Sequence, residues 1–207
     1  MNPTTASAPA FKPVKPLRLI EATRMRIIPA AIASSIATVV FLAFYYLTLG
    51  HLPVAFPGRF VTSPVGVWAD RCDLSQYLGS FVNPPYPSLL NWWIGFILLG
   101  GALSNLGMAY ALLLSWATTV SDTIKGTVFS VLNFVPVGAI FWAIDGVHPA
   151  VERNALPDPG FMMLGWTGWA TIQLFVCFLL YGIVMGYLYR VMQKFFIDRE
   201  TMIEIHK

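Results

Sequence analysis

Four stretches of this chain are long, apolar and free of acidic, basic or histidine side chains, and that one feature fixes the solvent before any other residue is read. They run over 27–49 (IIPAAIASSIATVVFLAFYYLTL), 89–117 (LLNWWIGFILLGGALSNLGMAYALLLSWA), 126–144 and within 161–189, and none contains Asp, Glu, Lys, Arg or His. Crossing about 30 Å of hydrocarbon takes roughly 20 apolar residues in a helix. Each stretch meets that length, and charge stands just beyond them, at Lys125 and Asp145 around the third and at Arg190 after the fourth. Only 11% of the residues are charged, where a soluble domain carries roughly a quarter. The aromatic residues Trp92, Trp93, Trp116, Trp142, Trp166, Trp169, Tyr187 and Tyr189 gather near the ends of the stretches, where amphipathic rings meet the headgroups. Lipid cannot satisfy a bare backbone, and no ten-residue alternating pattern suggests a barrel. The expected fold is therefore all-α: a polytopic membrane protein with four transmembrane helices.

Basic residues give an expected orientation. Four crossings put both termini on one side, and that side holds Lys12, Lys15, Arg18, Arg24, Arg26, Lys125, Arg190, Lys194, Arg199 and Lys207, against Arg59, Arg71 and Arg153 on the other. Short loops rich in Lys and Arg stay in the cytoplasm, so both termini are expected there. The domain reading is an extended cytoplasmic tail over 1–26, a four-helix domain over 27–190 with an outer loop at 52–88, and a cytoplasmic tail over 191–207. The first apolar run is too long for a signal-peptide core and is read as an uncleaved anchor. The basic excess follows this side-to-side asymmetry, and no basic helix interleaved with aromatics suggests nucleic acid as a partner. The expected partners are the bilayer and other integral membrane subunits.

Polar residues inside the spans need partners, because hydrocarbon offers none. Thr38, Ser104 with Asn105, Asn133 and Gln173 fall near mid-depth, one group per helix, and are read as a shared layer of interhelical hydrogen bonds. Pro136 removes a helix hydrogen bond and is expected to kink the third span, with Asn133 close to the broken ladder. Gly107 with Ala111, and Gly182 with Gly186, stand four apart, a spacing that lets helix backbones approach closely. This set, Thr38, Asn105, Asn133, Pro136, Gln173, Gly182 and Gly186, is assigned to packing.

Catalytic signals are sparse. The chain has no GxSxG, HExxH or phosphate-gripping glycine loop. Cys72 and Cys177 belong to an outer loop and to the middle of the fourth span, too far apart for a disulfide, and neither shows metal-ligand spacing. His51 and His148 both leave spans on the outer side, which makes them weak candidates for a peripheral metal or haem. The loop at 52–88 alternates prolines with Phe56, Phe60, Trp68, Tyr77, Phe81 and Tyr86. Long loops of this kind serve as docking elements or pack over their own bundle.

The arrangement "AAIASSIATVVF", "GGALSNLGMAYALL", "KGTVFSVLNFVPVGAIFW" and "FLLYGIVMGYLYR" resembles a group of small four-helix bacterial membrane proteins of uncharacterised function, over most of residues 27–190. The resemblance implies a four-helix fold and a prokaryotic origin, hence a bacterial inner membrane, and carries no catalytic residue. The long proline-rich loop departs from it. The functional expectation is a non-catalytic subunit of a larger membrane complex, with an energy-transducing respiratory or photosynthetic assembly as a candidate host. No cofactor is predicted on that reading. Two alternatives stand beside it: a binder or carrier of a hydrophobic ligand (quinone, pigment or lipid) lodged beside Pro136, and a metal or haem enzyme subunit using His51 and His148.

Overall fold

The computed structural model describes residues 19–49, 73–83, 88–114, 120–153, 156, 158–166 and 168–205, with side chains described between residues 26 and 196. Among the described residues every regular element is helical. They are α1 (Leu19–Leu49), α2 (Leu74–Val82), α3 (Leu89–Leu113), α4 (Asp122–Asp145), the one-turn α5 (Pro149–Glu152), a 3₁₀ turn at Phe161–Met163 and α6 (Gly168–Ile205). Four of them, over Arg26–Thr48, Leu89–Leu113, Asp122–Asp145 and Gly168–Phe196, are long and apolar enough to cross a membrane.

Several boundaries differ from the sequence reading for local reasons. The chain is already helical from Leu19, and α6 continues to Ile205, so both expected tails are in part extensions of spanning helices. The fourth span begins at Gly168, because Gly160 at φ +64° and the turn that follows it occupy the residues before. The loop at 52–88 contains a helix. Asp73 caps α2 by accepting the Ser75 N–H, which satisfies one of the donors that a helix start leaves open. Ser88 and Ser121 cap α3 and α4 in the same way.

The spanning helices are antiparallel to their packed neighbours, in the order α3, α1, α6, α4. Ser34 of α1 meets Leu103 and Ser104 of α3 and Tyr181 of α6, and Gln173 of α6 reaches Tyr45 of α1. Ser130 of α4 donates to the Phe178 carbonyl of α6 at 2.5 Å. Small residues set how close these helices come. A Cβ on Gly107 would strike Ser34, and one on Gly182 or Gly186 would strike the backbone of α4 at Gly126, Thr127, Asp122 and Thr123. The two outer members of the row, α3 and α4, are not among the closely packed helix pairs. They touch near the end where the chain enters α1 and leaves α6, through Tyr110 against Phe129 at 5.7 Å and the Tyr110 hydroxyl on Asp122. Elsewhere, among the described residues, the row of four is open on one side. At the opposite end α2 packs across α3, with Gly79 against the Asn91 backbone and Gly95 against that of Ser75.

Candidate functional site

The open side of the row holds an apolar cavity of about 320 Å³. Its walls are Leu99, Ala102, Leu103 and Leu106 of α3 facing Asn133, Pro136, Val137, Ile140 and Phe141 of α4. Phe41 of α1 with Leu174 and Phe178 of α6 form its back, and Leu74 and Leu78 of α2 its roof. Asn133 is the one polar side chain in that set. Helix interiors are ordinarily packed with few voids larger than a water molecule, and 320 Å³ lies at the lower end of the range for small-molecule sites, about 300–1,000 Å³.

Asn133 donates to the Phe129 carbonyl of its own helix at 2.7 Å. That bond uses one of its two amide hydrogens and none of its carbonyl oxygen. Three residues on, Pro136 supplies no N–H to the Leu132 carbonyl one turn back, which the regular helix ladder would have used. The sequence reading brought Asn133 near this broken ladder; in the structure its amide bonds one turn earlier, at Phe129.

The roof is held by a buried polar network. Tyr77 is fully buried on α2 and its hydroxyl donates to Asp145 Oδ1 at 2.5 Å, while its ring stacks on His148 with centroids 4.3 Å apart. The Tyr77 carbonyl accepts from His148 Nε2 at 2.9 Å, and His148 Nδ1 accepts the Ala150 N–H at 3.2 Å. These two bonds assign the neutral tautomer with its hydrogen on Nε2. Burial also lowers the His148 pKa, because a charged imidazolium loses more hydration than a neutral ring. At the start of α2, Tyr45 accepts the Leu74 N–H, and Tyr46 donates to Asp73 and shares a hydrogen bond with Ser75. Asp73 is fully buried. Burial pushes its carboxyl up to about 7 even though the Ser75 N–H and the Tyr46 hydroxyl favour the charged form.

The sequence-assigned residues fall into separate places. Thr38 pairs with Ser104 at 3.4 Å between α1 and α3, beside the tighter Ser34, Tyr181 and Leu103 junction. Gln173 bonds the Tyr45 carbonyl and Thr48 at 2.9 and 2.6 Å near the α2 end. Asn105 is exposed and, among the described residues, bonds only back to Gly101 of its own helix, at 2.9 Å. These residues and Asn133 therefore do not meet in one layer: a helix turns 100° per residue, and similar depth does not give a common facing. Gly182 and Gly186 lie in the α4–α6 contact. Of the loop aromatics, Tyr77 belongs to the buried roof and Phe81 is 41% exposed, tilted against the His148 ring. Phe56, Phe60, Trp68 and Tyr86 lie outside the described residues, as do His51 and Cys72. With both ring nitrogens engaged inside the fold, His148 is an N-cap and a roof contact and offers no free metal ligand. Among the described residues no group of three His, Cys, Asp or Glu side chains could hold a metal ion. Sequence reasoning missed α2, although Asp73 followed by Leu74, Tyr77, Leu78 and Phe81 has the cap and the spacing of an amphipathic helix.

Fold and site together define an all-helical protein with four helices able to cross a membrane and an apolar cavity on the open side of their row. The chain matches no family model, no curated protein and no solved structure.

Proposed function

We propose that this is an integral membrane protein that binds a hydrophobic molecule drawn from the bilayer, in the cavity between α3 and α4. The observation that carries this reading is the cavity itself, about 320 Å³ with thirteen of its fourteen lining residues apolar, set where two spanning helices stay apart. A quinone, pigment or lipid fits that lining in kind. The basic residues support an orientation with both termini cytoplasmic, and the four-helix resemblance supports a bacterial inner membrane. The test is to purify the full chain in mild detergent, extract it with organic solvent and identify bound species by mass spectrometry, alongside Ala102→Phe, which narrows the opening. A stoichiometric hydrophobic species that Ala102→Phe depletes is expected. A wild-type protein that carries no such species, and takes none up from added membrane extract, would falsify the reading.

One observation favours a second reading, a non-catalytic subunit of a larger membrane complex, respiratory or photosynthetic hosts included. Asn105 faces outward from α3 beside Gly101, whose Cβ position has nothing within 4 Å. An amide there gains nothing from lipid chains and can bond a neighbouring helix. Mild-detergent co-purification tests this reading: stable protein partners are expected under it, and an isolated monomer counts against it.

A further inference from the structure

The boundaries of the cavity say more about its occupant than its volume does. At one axial end α2 covers it, with Tyr77 set edge-to-face on Phe141 at 5.8 Å and bonded to Asp145. At the other, Tyr110 closes on Phe129 and reaches Asp122. Entry is left between α3 and α4, at the depth of the hydrocarbon, past the exposed Ala102 and Pro136. A molecule arriving by that route has to be dissolved in the bilayer, and no ionisable side chain lines the cavity to receive a charge. A bare alkyl chain would match thirteen of the lining residues and leave Asn133 unanswered. That side chain still has one N–H and its Oδ1 to offer among the described residues. The site thus presents one donor and one acceptor, both on Asn133, on a wall otherwise made of hydrocarbon, with Phe41, Phe141 and Phe178 able to flank a ring.

Resting on the ligand reading above, we infer that the cavity receives the head of a neutral, ring-bearing compound with an apolar tail, whose carbonyl or hydroxyl bonds Asn133 and whose tail leaves between α3 and α4. A ring carbonyl accepts from the Asn133 amide, and a ring hydroxyl donates to Asn133 Oδ1. Quinone and quinol forms are therefore both satisfied.

The test uses the full chain in lipid nanodiscs with two probes: a decyl-tailed benzoquinone labelled with ¹³C at its carbonyls, and a diazirine-bearing palmitic acid. Saturable quinone binding is expected, weakened at least tenfold in Asn133→Leu and largely kept in Asn133→Gln, with palmitate labelling of the cavity peptides unchanged in both. Infrared spectra of the wild-type complex provide a readout that needs no variant to fold: one labelled carbonyl should shift to lower wavenumber on binding. Equal quinone affinity in wild type and Asn133→Leu, or a bound quinone without that shift, overturns the assignment. Saturable palmitate labelling that Ala102→Phe blocks, with no quinone binding, overturns the ring-bearing ligand and leaves the hydrophobic-ligand reading standing. If neither probe binds, the ring-bearing assignment falls, and the hydrophobic-ligand reading falls with it when the wild-type chain also takes up no species from membrane extract.

Discussion

The α4–α6 seam and the α3–α4 opening are built on the same helix and behave in opposite ways. Along its first half α4 brings Gly126 and Ser130 against Gly182, Gly186 and the Phe178 carbonyl of α6, and the backbones nearly touch. Along its second half the residues turned toward α3 are Asn133, Pro136, Val137 and Ile140, and α3 answers with leucines across a cavity. Lipid tails are as apolar as leucine, so helices in a bilayer gain little by merely placing hydrocarbon against hydrocarbon. They close up where small residues and hydrogen bonds give close contact, and among the described residues α3 and α4 meet in this way around Tyr110.

The sharpest way to break this contrast is to put bulk into each side. Gly186→Leu places a side chain against the Asp122 carbonyl and Thr123 Cα, backbone atoms that move only if the helices separate. A loss of about 3 kcal/mol or more is expected, seen in detergent-titrated unfolding. Gly101→Leu adds the same atoms where nothing lies within 4 Å of the Cβ position, and should stay within about 1 kcal/mol of wild type. Comparable losses in the two variants would erase the distinction between seam and open face.

The roof comes next in size. Tyr77→Phe removes the bond to Asp145 Oδ1 and leaves that carboxyl with the Gly160 N–H at 2.9 Å. Stripping one partner from a buried polar group costs about 1–3 kcal/mol. The same unfolding titration, joined to hydrogen exchange, should show the loss concentrated in the α2 amides. Uniform exchange across the molecule would mean that Tyr77 does not specifically hold the roof.

The Asp73 end of α2 gives a pH signature. Its carboxyl is raised from 3.8 to about 7 by burial, so between those values the folded protein binds a proton that the unfolded chain does not. Stability is then fully present below pH 4, falls as pH rises from 4 to 7, and is flat above 7. His148, whose pKa burial lowers, acts in the opposite direction below its unfolded value of 6.5. The difference between wild type and Asp73→Asn isolates the aspartate. The variant keeps an oxygen for the Ser75 N–H and should gain on wild type as pH rises from 4 to 7, by up to a few kcal/mol. A constant difference over that range would show that Asp73 does not titrate there.

The four spans were readable because length and hydropathy are properties of single segments, and lipid leaves helices as the natural solution for such segments. Depth was readable too, by counting from the ends. Facing was not: Thr38, Asn105, Asn133 and Gln173 were grouped by depth, yet which way each points depends on the crossing of helices far apart in sequence. The glycine spacing at 182 and 186 is visible in the chain, whereas its partner Gly126 lies 56 residues away. The cavity was least legible of all, because it arises from two helices failing to pack, and no local pattern records a contact that is not made. Only Pro136 and Asn133 pointed to its neighbourhood. The helix in the loop was there to be read from Asp73 and the apolar spacing after it, and was hidden by the prolines around it.

Asn105 separates the two functional readings through the smallest expected effect. Among the described residues its amide bonds only the Gly101 carbonyl of its own helix, an acceptor that the helix ladder already uses. Replacing it with leucine therefore removes little, and adds apolar surface where lipid is the solvent. Monomer stability should change by less than about 1 kcal/mol, the scale of a single polar contact in a membrane bundle. Ligand retention should be unaffected, since Asn105 is not among the residues lining the cavity. If a neighbouring helix instead reads that amide, Asn105→Leu costs nothing in the monomer and depletes co-purified protein from mild-detergent preparations. Quantitative mass spectrometry of paired wild-type and variant preparations measures both outcomes at once. Unchanged partners with unchanged ligand would make Asn105 a lipid-facing residue and remove the observation that favours a subunit role.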